Sequence, residues 1–469
     1  MSLARVGSRF LPPVSPSLVR LILSQARNRP QSVAIRAGSK TMDYSTLAAV
    51  ADGFTATLRG AGMQRDDVIG LVAEREPATV ALMLAVLQGG ASCLPLDTTY
   101  PAARLSAMLS DARPRIVLGS EGNQSRLPVQ APWLSLEALA SMSGNLAEQE
   151  TCEIAYVLFT SGSTGRPKGV AMRTSVLARL IAWHVAHPRL GQAARTLQFA
   201  PLSFDVSFQE IWSTLATGGV LVLPSESERK DPYALLDLIA RERIERLFLP
   251  YVALQALAEA VAAGGSSPTH LKDVITAGEQ LRITSAIVSL FSALPDCRLH
   301  NHYGPTETHV VTALELCGDP AKWPELPSIG RPLPYVRVRI VDRNLNTRVP
   351  GEEGELLLGG DCLAAGYIHR PELTEERFIE LEGSRWYRTG DIATLGSDGE
   401  LEYLGRLDDQ IKVNGFRIEP AEIESTLSRH EAVAISAVIV VESTEGRQLV
   451  ADVAPRPGET DDALAAQLL

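Results

Sequence analysis

The sequence predicts an α/β protein built on parallel sheets covered by helices, with a small antiparallel β subdomain towards its C-terminal side. Two observations carry that assignment. Short apolar runs alternate with runs of helical periodicity from the N-terminal region past residue 290, and such alternation means strand, helix, strand in a parallel sheet. From Gly330 the pattern changes, because YVRVRI at 335–340 alternates with period 2, as a half-exposed antiparallel strand does.

Taken in order, a proline-rich lead-in is followed by helical periodicity over 17–27. Short strands at 33–36 and 42–45 flank a turn at Gly38, and a helix begins near Ser45. VIGLV at 68–72 reads as a strand and 78–87 as a helix. The polar stretch 141–153 reads as a surface connection that ends at the apolar run IAYVLF, 154–159. Further on, 219–224, 246–250 and 273–277 read as strands with helices between them. The triplet Ser397-Asp398-Gly399 makes a hairpin turn between strands at 392–395 and 401–404. Pro420 stands where a helix starts, and strands follow at 435–441 and 449–453. The sequence contains neither an internal repeat nor a low-complexity tail.

Composition narrows the function. A length of 469 residues predicts more than one domain, and 45% hydrophobic content suits a globular chain. A net charge of -11 argues against a nucleic-acid partner or an anionic membrane. The five cysteines form no CxxC pair, which suits reduced thiols in a cytoplasmic protein, with no disulfides and no metal knuckle. Prolines interrupt the N-terminal stretch before an apolar core could form, so it is not a signal peptide, and no run reaches the ~20 apolar residues of a membrane span.

The chemistry centres on TSGSTGRPKG, 160–169, which follows the apolar run. Small residues leave room for phosphate oxygens beside backbone N–H groups. The hydroxyls of Thr160, Ser161, Ser163 and Thr164 can donate to them, Gly162 and Gly165 keep the backbone accessible, and Lys168 adds a point charge. This is not the GxxxxGK[ST] cradle, because Lys168 is followed by Gly169. Alone, the stretch also has a lesser reading as a solvated Ser/Gly turn between a strand and a helix.

It does not stand alone. LQGGASCLPLD (87–97), FDVSFQEIW (204–212), NHYGPTETH (301–309), GELLLGG (354–360), YRTGD (387–391), GRLDDQIKVNG (405–415) and FRIEPAEIE (416–424) occur in one order. With the cradle they resemble the adenylate-forming superfamily, specifically the amino-acid-activating adenylation domains of nonribosomal peptide synthetases. The resemblance implies a large N-terminal domain, 1–407, of two parallel-type sheets with helices plus the small antiparallel subdomain. A small, mobile α+β C-terminal lid domain, 408–469, follows a hinge at Asp408. The family's lid ends in an Asn-Gly-Lys segment that this sequence does not reach by Leu469, so the lid reads as truncated and the first half-reaction as slowed.

The site roles follow from the same resemblance. Gly278 and Glu279 join the ATP-binding set; Asn301 reads the adenine amino group and Tyr303 stacks on the ring; Thr306 lies beside the phosphates. Glu307 reaches Mg²⁺, and Asp391 and Arg406 take the ribose hydroxyls, a role suited to a carboxylate and a fork donor. Thr160, Lys168 and Glu307 serve the adenylation step, and Lys412 with Gly415 lies on the segment that swings in for transfer to the phosphopantetheine thiol of a carrier protein. Asp205, in a mostly apolar context, holds the substrate's α-ammonium, since a buried carboxylate needs a cation. Ser207 and Glu210 read as the capping box of the following helix. The remaining pocket positions are Val206, Gln209, Phe248, Ile275, Ala277, His302, Val310 and Val311. Most are apolar, and the set looks like that of proline-selecting domains, with Gln209 and His302 bonding each other or a water. A methylproline, pipecolate or a small aliphatic residue is the alternative, because one methylene is worth only ~1–3 kcal/mol of discrimination.

The implied reaction is ATP-dependent formation of an aminoacyl adenylate with release of pyrophosphate, then transfer to the carrier. The resemblance also allows a small accessory activator protein. Two other readings share these motifs: an acyl- or aryl-CoA ligase, which should lack an acid at Asp205, and a catalytically incomplete fragment that binds ATP and amino acid.

Overall fold

The computed structural model describes residues 17–72, 74–128, 132–141, 152–162, 166–413, 416–430, 432–443 and 446–456. Two large sheets form its frame. In the nine-stranded sheet, strands Val33–Ala37, Val220–Leu223, Arg195–Leu197, Arg246–Leu249, Asp273–Thr276 and Arg298–Tyr303 run parallel, and antiparallel strands close both edges. In the seven-stranded sheet, Ser92–Leu96 and Val68–Val72 are central, Ile154–Thr160 lies parallel to the former, and Lys168–Arg173 and Gly366–Tyr367 add an antiparallel edge.

Helix Pro77–Gln88 lies between these sheets, touching Ser92–Leu96 of one and Val33–Ala37 of the other. Its sequence, PATVALMLAVLQ, is apolar around the whole circumference rather than along one stripe, and every residue from Thr79 to Gln88 is buried. Each such Leu, Met or Val contributes about 1.5–3 kcal/mol by leaving water, so this layer fixes the two sheets against each other. Pro77 at the first turn costs no hydrogen bond.

The predicted antiparallel subdomain is a five-stranded sheet in which Val336–Val341, Glu353–Gly360, Ser384–Leu395 and Phe378–Leu381 are neighbours, with Leu401–Arg406 beside the long strand. The triplet 397–399 closes the hairpin between Ser384–Leu395 and Leu401–Arg406. Strand Val336–Val341 is less regular in burial than its alternating sequence, because its last two residues are both buried. Helix Pro420–Leu427 starts at its proline, and strands Val433–Ser443 and Gly446–Pro455 pair beyond it. The described part of the predicted connection 141–153 is confined to its two ends. Among the described residues no helix is long and apolar enough to cross a membrane.

Candidate active site

A cavity of about 440 Å³ opens where the carboxyl ends of several strands meet, the usual place for a ligand in an open α/β sheet. Thr160 and Ser161 reach it from the end of Ile154–Thr160, Phe248 from Arg246–Leu249, and Ile275, Ala277 and Gly278 from the end of Asp273–Thr276. Asp205, Val206 and Gln209 come from the first turns of helix Asp205–Ala216, Thr306 and Val310 from the loop before strand Thr312–Leu316, and Asp391 and Arg406 from paired positions of the small sheet.

The cradle is a hairpin tip rather than the strand-to-helix turn that its sequence alone allows. Thr160 pairs with Lys168 across antiparallel strands, so the two ends of the cradle are held side by side at the end of the hairpin. A Cβ on Gly162 would come within 2.2 Å of the Arg166 carbonyl oxygen, which makes glycine a steric requirement there. Ser163, Thr164 and Gly165 lie outside the described residues, as does Gly415. Lys168 is almost fully buried, with its Nζ 3.6 Å from Glu307 Oε1 and 5.0 Å from the centre of the Tyr367 ring. The Tyr367 hydroxyl donates to the same Glu307 oxygen at 2.8 Å. Glu307 therefore sits inside a Lys–Tyr clamp next to Thr306 of the cavity wall.

Asp205 is half-buried at the cavity wall rather than enclosed in an apolar context, and its Oδ1 accepts from the Val206 N–H at 2.8 Å. Its position in the first helical turn favours a negative charge. The predicted capping box does not form, because the helix starts two residues before Ser207. Ser207 donates to the Phe204 carbonyl at 2.7 Å, and Glu210 is fully buried on the helix's inner side. Glu210 accepts from the backbone N–H groups of Phe199 and Ala200 and from the Gln198 amide. Burial nevertheless raises its pKa to about 7, outweighing these donors. Arg75 completes the cluster by donating to Gln198 and to the Phe199 and Ala200 carbonyls. Together they hold the segment 199–201 that lines the cavity.

Several assigned residues lie behind the wall rather than on it. Asn301 is buried and donates its side-chain amide to the Ser328 carbonyl at 2.8 Å. Tyr303 is buried with its hydroxyl 2.5 Å from Asp391 Oδ2, and burial followed by the Asp391 charge raises its pKa. His302 is buried with no partner on either ring nitrogen, and the Gln209 side-chain nitrogen is also unpartnered, so the two do not bond each other. Burial, then neighbouring histidines, keeps His302 neutral by lowering its pKa. Val311 is buried and Glu279 is partly buried, both off the cavity wall. Lys412 lies on strand Ile411–Val413.

Asp391 and Arg406 are charge-paired, and Arg406 also donates to both oxygens of Asp408, at 2.6 and 2.9 Å. The guanidinium thus joins the cavity to the predicted hinge residue. Among the described residues no cluster of three His, Cys, Asp or Glu side chains could cage a metal. Glu307, a single buried carboxylate next to Thr306 of the cavity wall, fits Mg²⁺ by its chemistry, since that ion takes one or two carboxylates plus phosphate oxygens.

Sequence reasoning missed three residues here. His309, in the quoted NHYGPTETH stretch, lines the cavity with a positive φ of 57° and an unpartnered Nε2. Burial lowers its pKa and the nearby Asp205 charge opposes that. Arg229 and Lys230 also line the cavity, yet in sequence they belong to an unremarkable charged helix.

The family described as AMP-binding enzyme matches residues 22–368. Tyrocidine synthase 2 of Brevibacillus parabrevis is 34% identical across 96% of this chain, which spans only 13% of that protein's length. Novobiocin biosynthesis protein H of Streptomyces niveus is 35% identical, with 97% of this chain and 77% of that protein covered. Among solved structures, NpsA-ThdA, an artificially fused Adenylation-PCP di-domain NRPS from Klebsiella oxytoca, superposes with a TM-score of 0.84 at 26% identity, covering 96% of this chain and 90% of that one.

Proposed function

We propose that this chain, which belongs to the AMP-binding enzyme family of adenylate-forming ligases, activates an amino acid, best L-proline, as its aminoacyl adenylate and hands it to a carrier protein's phosphopantetheine thiol. The observation that carries the reading is the single cavity that joins the hydroxyls of Thr160 and Ser161 to Asp205 and an apolar pocket of Val206, Phe248, Ile275 and Val310. One end suits a triphosphate and the other a small aliphatic ammonium compound.

In this reading the substrate ammonium pairs with Asp205, which directs the carboxylate towards the cradle. The substrate carboxylate is already ionised, so no side chain acts as base. Its oxygen attacks the α-phosphorus of ATP, the bond to the β-phosphate oxygen breaks, and pyrophosphate leaves with the electron pair. Thr160, Ser161, the Gly162 N–H and Lys168 position and neutralise the phosphates. Glu307 would hold Mg²⁺, which when bound offsets phosphate charge. Asp391 and Arg406 take the ribose, and rotation about Asp408 between domains 1–407 and 408–469 brings Lys412 to the site for thiol transfer. Phe248 and Ile275 line the cavity with Asp205 and Val206, an apolar lining that supports proline or its near neighbours. Support for a carrier partner comes from the likeness to an adenylation-carrier fusion.

Amino-acid-dependent ATP–pyrophosphate exchange across the common amino acids, pipecolate and methylproline tests this. Exchange greatest with proline is expected. Exchange greatest with a charged or aromatic amino acid would refute the pocket assignment.

A further inference from the structure

A second cavity, of about 290 Å³, lies away from the first, between the start of helix Thr174–Ala186 and the small antiparallel sheet. Strand Lys168–Arg173 leads from the cradle to it, a separation of about 17 Å at the rise of an extended strand. Arg173, Arg179, Arg337 and Arg385 line it, against one lining carboxylate, Asp361.

The four guanidinium groups are held in place by different means. Arg337 lies over the Trp386 ring at 5.3 Å. Arg385 donates to the carbonyls of Ala364 and Ala365 at 3.0 and 2.7 Å. Arg179 pairs with Asp361 at 2.9 Å, and Arg173 pairs outside the cavity with Glu153 at 2.8 Å. One carboxylate on the wall, with Glu153 and Glu380 acting from outside it, meets four cations, and a positive excess is left around a space that exceeds a phosphate group. Repulsion is visible in Arg385, whose pKa is lowered by burial and then by Arg173. Fixed guanidinium forks are the best protein match to phosphate oxygens, and like charges gathered in a cleft concentrate anions.

We propose that this cavity is a second oxyanion site that takes a phosphate group, separate from the nucleotide cradle. The group is either free inorganic phosphate or pyrophosphate, or a phosphate ester. Arg337, Arg173 and Arg385 supply the donors, and Asp361 competes with the anion for Arg179.

Calorimetric titration of the full chain with inorganic pyrophosphate tests the site, with wild type compared against variants at the cavity's own residues, none of which lines the main cavity. Arg337→Ser and Arg173→Ser should each weaken binding about tenfold, and Asp361→Asn should tighten it several-fold, since it removes the competing carboxylate. These opposite signs cannot come from general loss of folding, and all three positions are at least partly exposed. Competition by 4′-phosphopantetheine but not by inorganic phosphate assigns the site to an ester; equal competition assigns it to the free ion. Pyrophosphate binding that is the same in wild type and in all three variants overturns the proposal. The isotherm is read without amino-acid exchange, so failure of the proposed adenylation leaves this test intact.

Discussion

Glu307 accepts from Tyr367 and faces Lys168, with both charged groups buried. Removing the cation of a buried pair takes the counter-charge from its carboxylate, which costs up to about 3–5 kcal/mol. Lys168→Ala should therefore lower the unfolding free energy by that order as well as abolish exchange, and chemical denaturation checks the first effect independently of the second. Glu210 gives a pH signature. Its folded pKa of about 7 lies above the ordinary carboxyl value of 4.5, so between these values the native chain keeps a proton that the unfolded chain has released. Stability from this group is then fully present below the unfolded pKa and is lost as pH rises towards 7. The stability difference between wild type and Glu210→Gln should fall with pH across that window, at up to about 1.4 kcal/mol per pH unit, and level off above it. A difference that rises or stays flat would contradict the assignment. At this scale the sequence was partly legible. Thr160, Asp205 and Phe248 were readable because they belong to ordered motifs or strand ends, whereas Tyr367 meets Glu307 from 60 residues away and Arg75 meets Gln198 from 123 residues away, pairings that no local pattern records.

The cradle depends on its hairpin more than on its composition. Strands Ile154–Thr160 and Lys168–Arg173 fix both ends of the tip, and Gly162 passes against Arg166 too closely for any side chain. Gly162→Ala should reduce ATP-dependent exchange at least about tenfold while the unfolding midpoint moves little, because the clash falls on one backbone carbonyl beyond the paired strand ends rather than on a core layer. An unchanged KM for ATP would show that the tip does not shape the nucleotide site. Elements were more legible than contacts: helix Pro77–Gln88 and the strand ends at Leu249 and Thr276 follow from apolar runs and their punctuation. The helix start at Asp205 was misread, because Ser207 and Glu210 have capping spacing while the local chain had already turned helical under Phe204.

Over the whole molecule, side chains at both Arg406 and Glu422 tie the C-terminal segment to the rest among the described residues. Arg406 binds Asp391 and Asp408 together, and Glu422 of helix Pro420–Leu427 meets Arg104 at 3.0 Å and the Gly162 N–H at 3.2 Å. Both Arg104 and Arg406 line the main cavity, so a nucleotide there would compete with Glu422 for the cradle N–H. Glu422→Gln should weaken this docking and increase protease cleavage near 408–415 in the absence of ATP; cleavage unchanged from wild type would mean that the contact does not restrain the segment. The α/β class and the change to an antiparallel sheet were visible as a change of period, but the stacking of two sheets about one helix layer came only with the resemblance, since periodicity carries no information on which sheet a strand joins.

The most direct measurement compares pyrophosphate exchange driven by proline with that driven by cyclopentanecarboxylate, which keeps the ring and carboxylate but lacks the amine, in wild type and in Asp205→Ala. The proposed pairing of ammonium with Asp205 requires exchange with proline alone, reduced about a hundredfold in kcat/KM by the substitution, a loss near 2.7 kcal/mol. Equal exchange with both acids, or proline exchange untouched in Asp205→Ala, would contradict amino-acid activation at this site.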